Sequence, residues 1–172
     1  MDIVIAGAGE VGRHTAEVLS PAGHNITVVD RNEALLATLD EQLDVRSYLG
    51  DATHAHALSE AGVASTDLFV AATENDHTNL LSASIAKGLG AAATIARVHH
   101  SAFFDRRGLD YAKHLGIDHL VCPEHTTAQA IASALRSPGA LAIEQFAKGK
   151  IQMQALPVQP QVKAIGTSLR QL

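Results

Sequence analysis

Residues 2–12 read DIVIAGAGEVG, and their order decides the fold. A short apolar run, Ile3 to Ala6, passes directly into G-x-G-x-x-G and then into residues of helical period. Strand, glycine turn and helix in that order open a βαβ unit, and this context makes the glycine pattern specific. Gly7 permits the tight turn, Gly9 lets backbone approach a pyrophosphate closely, and Gly12 lets the helix pack against the strand. Ala8, Glu10 and Val11 complete a loop whose free N–H groups, with the helix dipole, favour phosphate charge. The alternative is a glycine turn in an α/β domain that holds no ligand.

Downstream, apolar runs continue to alternate with helical stretches, which predicts a parallel sheet covered by helices on both faces. Six strands are expected, at Ile3–Ala6, Asn25–Val29, Val45–Leu49, Leu68–Ala71, Thr94–Val98 and Asp118–Val121. The intervening helices are placed at Val11–Ser20, Glu33–Gln42, His54–Ala61, Asn75–Leu89, Ala102–Leu115 and Glu124–Leu135. Together they make an α/β, Rossmann-like doubly wound domain over residues 1–137. Pro138 and Gly139 interrupt the pattern, after which Ala142, Glu144 and Phe146, a turn at Lys148 and Gly149, and Ile151, Met153 and Ala155 read as a β-hairpin. Thr167 or Ser168 would cap a last helix running to Leu172. Residues 138–172 are therefore expected to begin a small, incomplete α+β C-terminal subdomain.

Asp30 ends the second strand, eighteen residues beyond Gly12, where a carboxylate accepts from both hydroxyls of an adenosine ribose and repels a 2′-phosphate. This favours NAD(H); Arg31, which follows at once, leaves NADP as the alternative. Gly50, Asp51, Ala52 and Thr53 follow the third strand on the same sheet edge. There Asp51 either accepts from an adenine amino group or caps the helix beginning at His54, two compatible roles. Ala72, Thr73, Glu74, Asn75 and Asp76 follow the fourth strand, with Asn79 one helical turn on, and would face ribose and phosphates.

The bulk composition narrows the classes. A chain of 172 residues can bury roughly 70% of its unfolded surface, and 47% hydrophobic with 18% charged residues suits a packed globular protein. The net charge of −5 argues against a nucleic-acid partner. A single cysteine, Cys122 at a strand end, fits a reducing cytosol, and no apolar run reaches the ~18 residues of a membrane span. Ten histidines raise the question of a metal. His54 with His56 and His99 with His100 have spacings that point the rings apart, so no metal site is expected.

GAGEVG, VVD at 28–30, GDAT at 50–53 and AATENDHTNLLSASIAK at 71–87 together resemble the KTN or RCK (TrkA-N) family, nucleotide-binding domains that regulate potassium conductance. IARVHH at 95–100, DHLVCPE at 118–124, PGALAIEQFAKGKI at 138–151 and IGTSLRQL at 165–172 are similar to the regulatory subunits of Trk-type potassium uptake systems. The resemblance implies a cytoplasmic, non-catalytic protein, peripheral to the membrane through a potassium-translocating subunit. It implies a homodimer that assembles to a tetramer or ring, with the helix Glu124–Leu135 exchanged between subunits. It places Gly7, Gly9, Gly12, Asp30, Asp51, Thr73, Asp76, Asn79 and Arg97 in the nucleotide pocket.

One position departs from ATP-responsive members, in which an arginine follows the second glycine: here it is Glu10. Two like charges ~5 Å apart repel by about 3 kcal/mol at an effective dielectric near 20. ATP or ADP is thereby less favoured than NAD(H), with Arg13 and Arg97 offsetting part of the effect. The rival reading is an NAD-dependent oxidoreductase, which needs a substrate domain that residues 139–172 do not supply.

Overall fold

The computed structural model describes residues 1–104, 108–146, 151–158, 165 and 168. By its internal contacts the chain divides into two compact units, Met1–Glu124 and His125–Leu172. The first holds β1 (Asp2–Ala6), α1 (Glu10–Leu19), β2 (Asn25–Asp30), α2 (Glu33–Gln42), β3 (Arg46–Leu49), α3 (Ala55–Glu60) and β4 (Leu68–Ala71). It continues with α4 (Asp76–Leu89), β5 (Ala93–Arg97), α5 (Tyr111–Leu115) and β6 (His119–Val121). All six strands are parallel, in the order β3-β2-β1-β4-β5-β6. The expected doubly wound sheet is present, and its direction of winding reverses at β1, the strand that carries the glycine loop.

Strand alternation distributes the core over both faces. Ile3 and Ile5 point to one side with Ala16 of α1 and Leu36 and Leu39 of α2, while Val4 and Ala6 point to the other with Leu58 of α3 and Leu80, Ala83 and Ala86 of α4. Phe69 of β4 is fully buried in the second cluster. This two-sided burial is why β1 reads as an uninterrupted apolar run.

One expected helix is not continuous. Instead of a single helix from Ala102 to Leu115, a 3₁₀ turn at Ser101–Phe104 precedes a short α5. Asp110 starts α5 by accepting from Lys113 N at 3.1 Å. Phe103 stacks edge-on to His77 and Tyr111, its aromatic contacts standing in for helical periodicity.

The second unit contains most of α6 (Pro123–Arg136), then β7 (Ala142–Phe146) and β8 (Ile151–Ala155), an antiparallel pair in the register Glu144 to Met153. The hairpin strands are as read from the sequence. The turn at Lys148 and Gly149 and most of the last segment, 166–172, lie outside the described residues.

Helix α1 packs directly on the loop before it. A Cβ at Gly12 would stand 1.8 Å from the Gly7 carbonyl oxygen, whereas one at Gly9 would meet nothing within 4 Å. Gly12→Ala is expected to cost about 3 kcal/mol or more of stability, because backbone must yield. Gly9→Ala is expected to leave the urea midpoint nearly unchanged. Equal midpoints for the two variants would refute this packing.

Candidate functional site

The glycine loop is fixed on three sides. Gly7 N donates to Val29 O at 2.8 Å, tying the loop to β2. Gly7 adopts φ +110°, and a Cβ there would lie 3.0 Å from the Ala72 carbonyl and from Thr73 N, so the loop rests on the β4–α4 turn. Asp30 supplies the third tie, its Oδ2 accepting from Ala8 N at 2.7 Å and its Oδ1 from Asn32 N at 2.8 Å.

Helix starts around the loop differ in how they are capped. Asn32 caps α2 by accepting from Ala34 N and Leu35 N, and Asn75 caps α4 through Thr78 N. At α1 the cap position is Gly9, which has no side chain to offer, so the first-turn amides are left to a ligand or to water.

A cleft of about 740 Å³ opens along these strand ends. Of the residues expected at the site, Gly7, Gly9, Asp30, Arg31, Gly50, Asp51, Ala52, Thr53 and Thr73 line it. Ala8, Glu10, Val11, Gly12, Ala72, Asp76, Asn79 and Arg97 are not among the lining residues. Ala8 and Ala72 are buried, and the Ala8 amide is taken by Asp30. Glu10 and Val11 are exposed in the first turn of α1, so solvent screening trims the repulsion ascribed to Glu10.

Gly12 is buried against the Gly7 carbonyl, while Asp76 and Asn79 face inward and Arg97 is half-buried. Asp76 is buried at the start of α4 and accepts from His99 N, the His99 ring and His100 N at 2.8–3.0 Å. Asn79 is completely buried and bonded to Thr73 and Arg97. Arg97 approaches Glu124 at 4.0 Å, and its buried Nε has no hydrogen-bond partner among the described residues.

The side chain of Asp51 does not cap α3, whose cap residue is His54, with no side-chain capping bond. Its Oδ1 accepts instead from the hydroxyl and amide of Thr53, at 2.7 and 2.9 Å. These two bonds are the main reason its carboxyl is held below the usual carboxylate range. Val29, Asn32, Leu35 and Thr78 line the cleft without having been expected there, whereas Glu74 and Asn75, which also line it, were expected to face a ligand. Leu35 lies in the first turn of α2 beside the buried Leu36, yet is 40% exposed. Among the described residues no group of three His, Cys, Asp or Glu side chains could hold a metal ion. No helix among them is long and apolar enough to cross a membrane.

The TrkA-N domain model matches residues 3–123, the glycine loop and the whole six-stranded sheet included. The chain belongs to the TrkA-N domain family. A "Trk system potassium uptake protein TrkA homolog" of Archaeoglobus fulgidus is 39% identical over 172 residues, all of this chain and 39% of the relative. The chain thus spans about two fifths of the length of that relative. Among solved structures, the TrkA-N domain of the inner membrane protein ybaL of Escherichia coli superposes with a TM-score of 0.68 at 20% identity, covering 78% of this chain and 96% of that one. The GsuK channel bound to NAD gives 0.64 at 21% identity, over 86% of this chain and 25% of the channel's. Bound to ADP it gives 0.60 at 23%, over 70% and 31%. At these identities the superpositions speak to the fold.

The Asp76 cluster has a measurable consequence. Burial is the strongest influence on this carboxyl and pushes its pKa up, but the bonds from His100 N, the His99 ring and His99 N outweigh it and hold the carboxyl below its usual value. A depressed folded-state value means stability that is present above the unfolded pKa of about 4 and lost as pH falls through the folded one. Asp76→Asn should therefore lower the urea midpoint at neutral pH and flatten its decline below about pH 5. An acid limb as steep as that of the unaltered protein would contradict the assignment.

Proposed function

We propose that this chain is the nucleotide-sensing part of a regulatory subunit of a potassium uptake system, and that its cleft binds NAD(H). The observation that carries the reading is the pairing of an uncapped α1 start behind Gly7 and Gly9 with the Asp30 carboxylate at the rim of the same cleft. Pyrophosphate oxygens would lie against the loop and helix amides. Each oxygen of Asp30 holds one backbone N–H and keeps a lone pair for a ribose hydroxyl. Gly9 stands clear of other atoms, as close approach of a ligand requires. The NAD-bound and ADP-bound forms of GsuK, a channel of the same fold, support an adenine nucleotide.

Three carboxylates line the cleft, Asp30, Asp51 and Glu74, against one cation, Arg31. This balance favours a ligand rich in hydroxyl and amino donors over a triphosphate. The regulatory role follows from the family and from the relative named for potassium uptake. Its setting is cytoplasmic, docked on a potassium-translocating membrane subunit. A homodimer, assembling to a ring, is supported by α6, which buries no residue within one chain and exposes Ile131 and Leu135. The protein acts by binding and not by turnover, a ligand shifting the assembly only by the difference between its affinities for two states.

Calorimetric titration with NADH, NAD, NADPH and ATP tests the ligand, and NADH and NAD are expected to bind most tightly; binding by none of the four would sink the proposal. Asp30→Ala should weaken NADH by around 1.5 to 3 kcal/mol, the range for a charged hydrogen bond. Glu10→Arg is expected to raise ATP affinity relative to NADH in a competition assay, and an unaltered ratio would remove Glu10 from ligand choice. For the assembly, co-purification of the full-length protein with a potassium-translocating subunit is expected, whereas steady hydride transfer to a small substrate would instead support an oxidoreductase.

A further inference from the structure

Asn79 closes the first turn of α4 with none of its surface exposed. Its Oδ1 accepts from Thr73 N at 2.8 Å and from the Thr73 hydroxyl at 2.6 Å. Its Nδ2 donates to Thr73 O and to Arg97 O, both at 2.9 Å. Three backbone groups thus fix which end of the amide is which, since an N–H demands the oxygen and two carbonyls demand the nitrogen. Asparagine meets all of them; aspartate would set a second acceptor against two carbonyls.

The consequence falls on Thr73, which lines the cleft. A hydroxyl has one proton and two lone pairs. The Thr73 proton goes to Asn79 Oδ1, and the alternative acceptor, Asn75 O at 3.3 Å, also belongs to the turn. One lone pair receives Asn75 N at 3.3 Å, a long contact. Thr73 therefore offers a ligand an oxygen lone pair and no proton.

We infer that Thr73, with its polarity set by Asn79 as a positioning residue, makes this end of the cleft select a hydroxyl donor, the second ribose of a dinucleotide, over phosphate oxygens. The inference rests on the nucleotide reading above and refines it. Its surroundings agree. The neighbouring lining residues Glu74, Asn75 and Thr78 include a carboxylate and no cation, and Asn75 Oδ1 is already occupied by Thr78 N. The position also fits, because Gly7 abuts Thr73 N, so a pyrophosphate on the glycine loop brings the next unit of the ligand beside Thr73.

Titrations with ADP, ADP-ribose and NADH separate the possibilities, since ADP-ribose adds the second sugar without the nicotinamide. The unaltered protein is expected to bind ADP-ribose more tightly than ADP. Thr73→Val should weaken ADP-ribose and NADH several-fold, up to about tenfold, with ADP unchanged within about twofold. Thr73→Ser, which keeps the hydroxyl, should restore both. An ADP-ribose analogue whose second sugar lacks its ring hydroxyls, titrated into the unaltered protein, should lose the same factor, an arm that does not depend on how the valine variant folds. If Thr73→Val weakens ADP as much as ADP-ribose, or if the analogue binds as well as ADP-ribose, the inference is overturned while nucleotide binding stands. Absence of binding by all three ligands would overturn the nucleotide reading itself.

Discussion

The carbonyl oxygen of Gly7 occupies the space a side chain would need at Gly12, and that contact sets where α1 begins. Any larger residue at Gly12 would push the helix away from β1, and its first turn would no longer point along the end of the central strand. Because β1 has β2 on one side and β4 on the other, the connections leaving it run in opposite directions and a gap opens above it. The uncapped start of α1 faces a loop that closes on β2 through Val29 and on the β4–α4 turn through Ala72 and Thr73. Asp30 fastens the loop from a second strand, so one carboxylate both holds the glycine loop and stands at the rim of the cleft.

Charge then decides what the cleft accepts. Helix-start amides attract a pyrophosphate by partial charges, each worth well under the interaction of a full cation. With Asp51 and Glu74 farther along the cleft and Arg31 its one lining cation, each added phosphate meets more acceptors than donors. Sugar hydroxyls and an adenine amino group meet the opposite balance. A ligand that places two charges at the glycine loop and donors on either side satisfies both conditions, and a dinucleotide has that order of groups.

The strands were legible because β1 and β4 contribute to the core clusters on both faces of the sheet and so appear as short apolar runs, followed by Gly7 and by Thr73. The loop residues were legible because only glycine tolerates the approaches at Gly7 and Gly12. What sequence did not disclose was the direction in which a polar side chain turns. Asp76 and Asn79 lie at the right distance from the strand end to meet a ligand, yet both turn into the protein, where unpaired amides and carbonyls of Thr73, Arg97, His99 and His100 need partners. Asn32 and Leu35 were hidden for the converse reason, being ordinary cap and first-turn residues of α2 that also happen to face the cleft. The late start of α5 at Tyr111 escaped the helical pattern because Phe103 is held by ring contacts with no periodicity.

The inward turn of Asn79 gives the cleft a property that the lining residues alone would not have. A freely rotating threonine hydroxyl serves donors and acceptors equally and discriminates between neither. For Thr73 to present its proton to a phosphate, Asn79 Oδ1 must lose one of its two partners in a place no water reaches. An ordinary hydrogen bond contributes about 0.5–1.5 kcal/mol net, which corresponds to roughly two- to tenfold in affinity. The Asp76 bonds to His99 and His100 hold the end of β5 against the same helix start, so Arg97 O cannot swing away to relieve Asn79. Selectivity at Thr73 therefore depends on the rigidity of a corner that the ligand itself never touches.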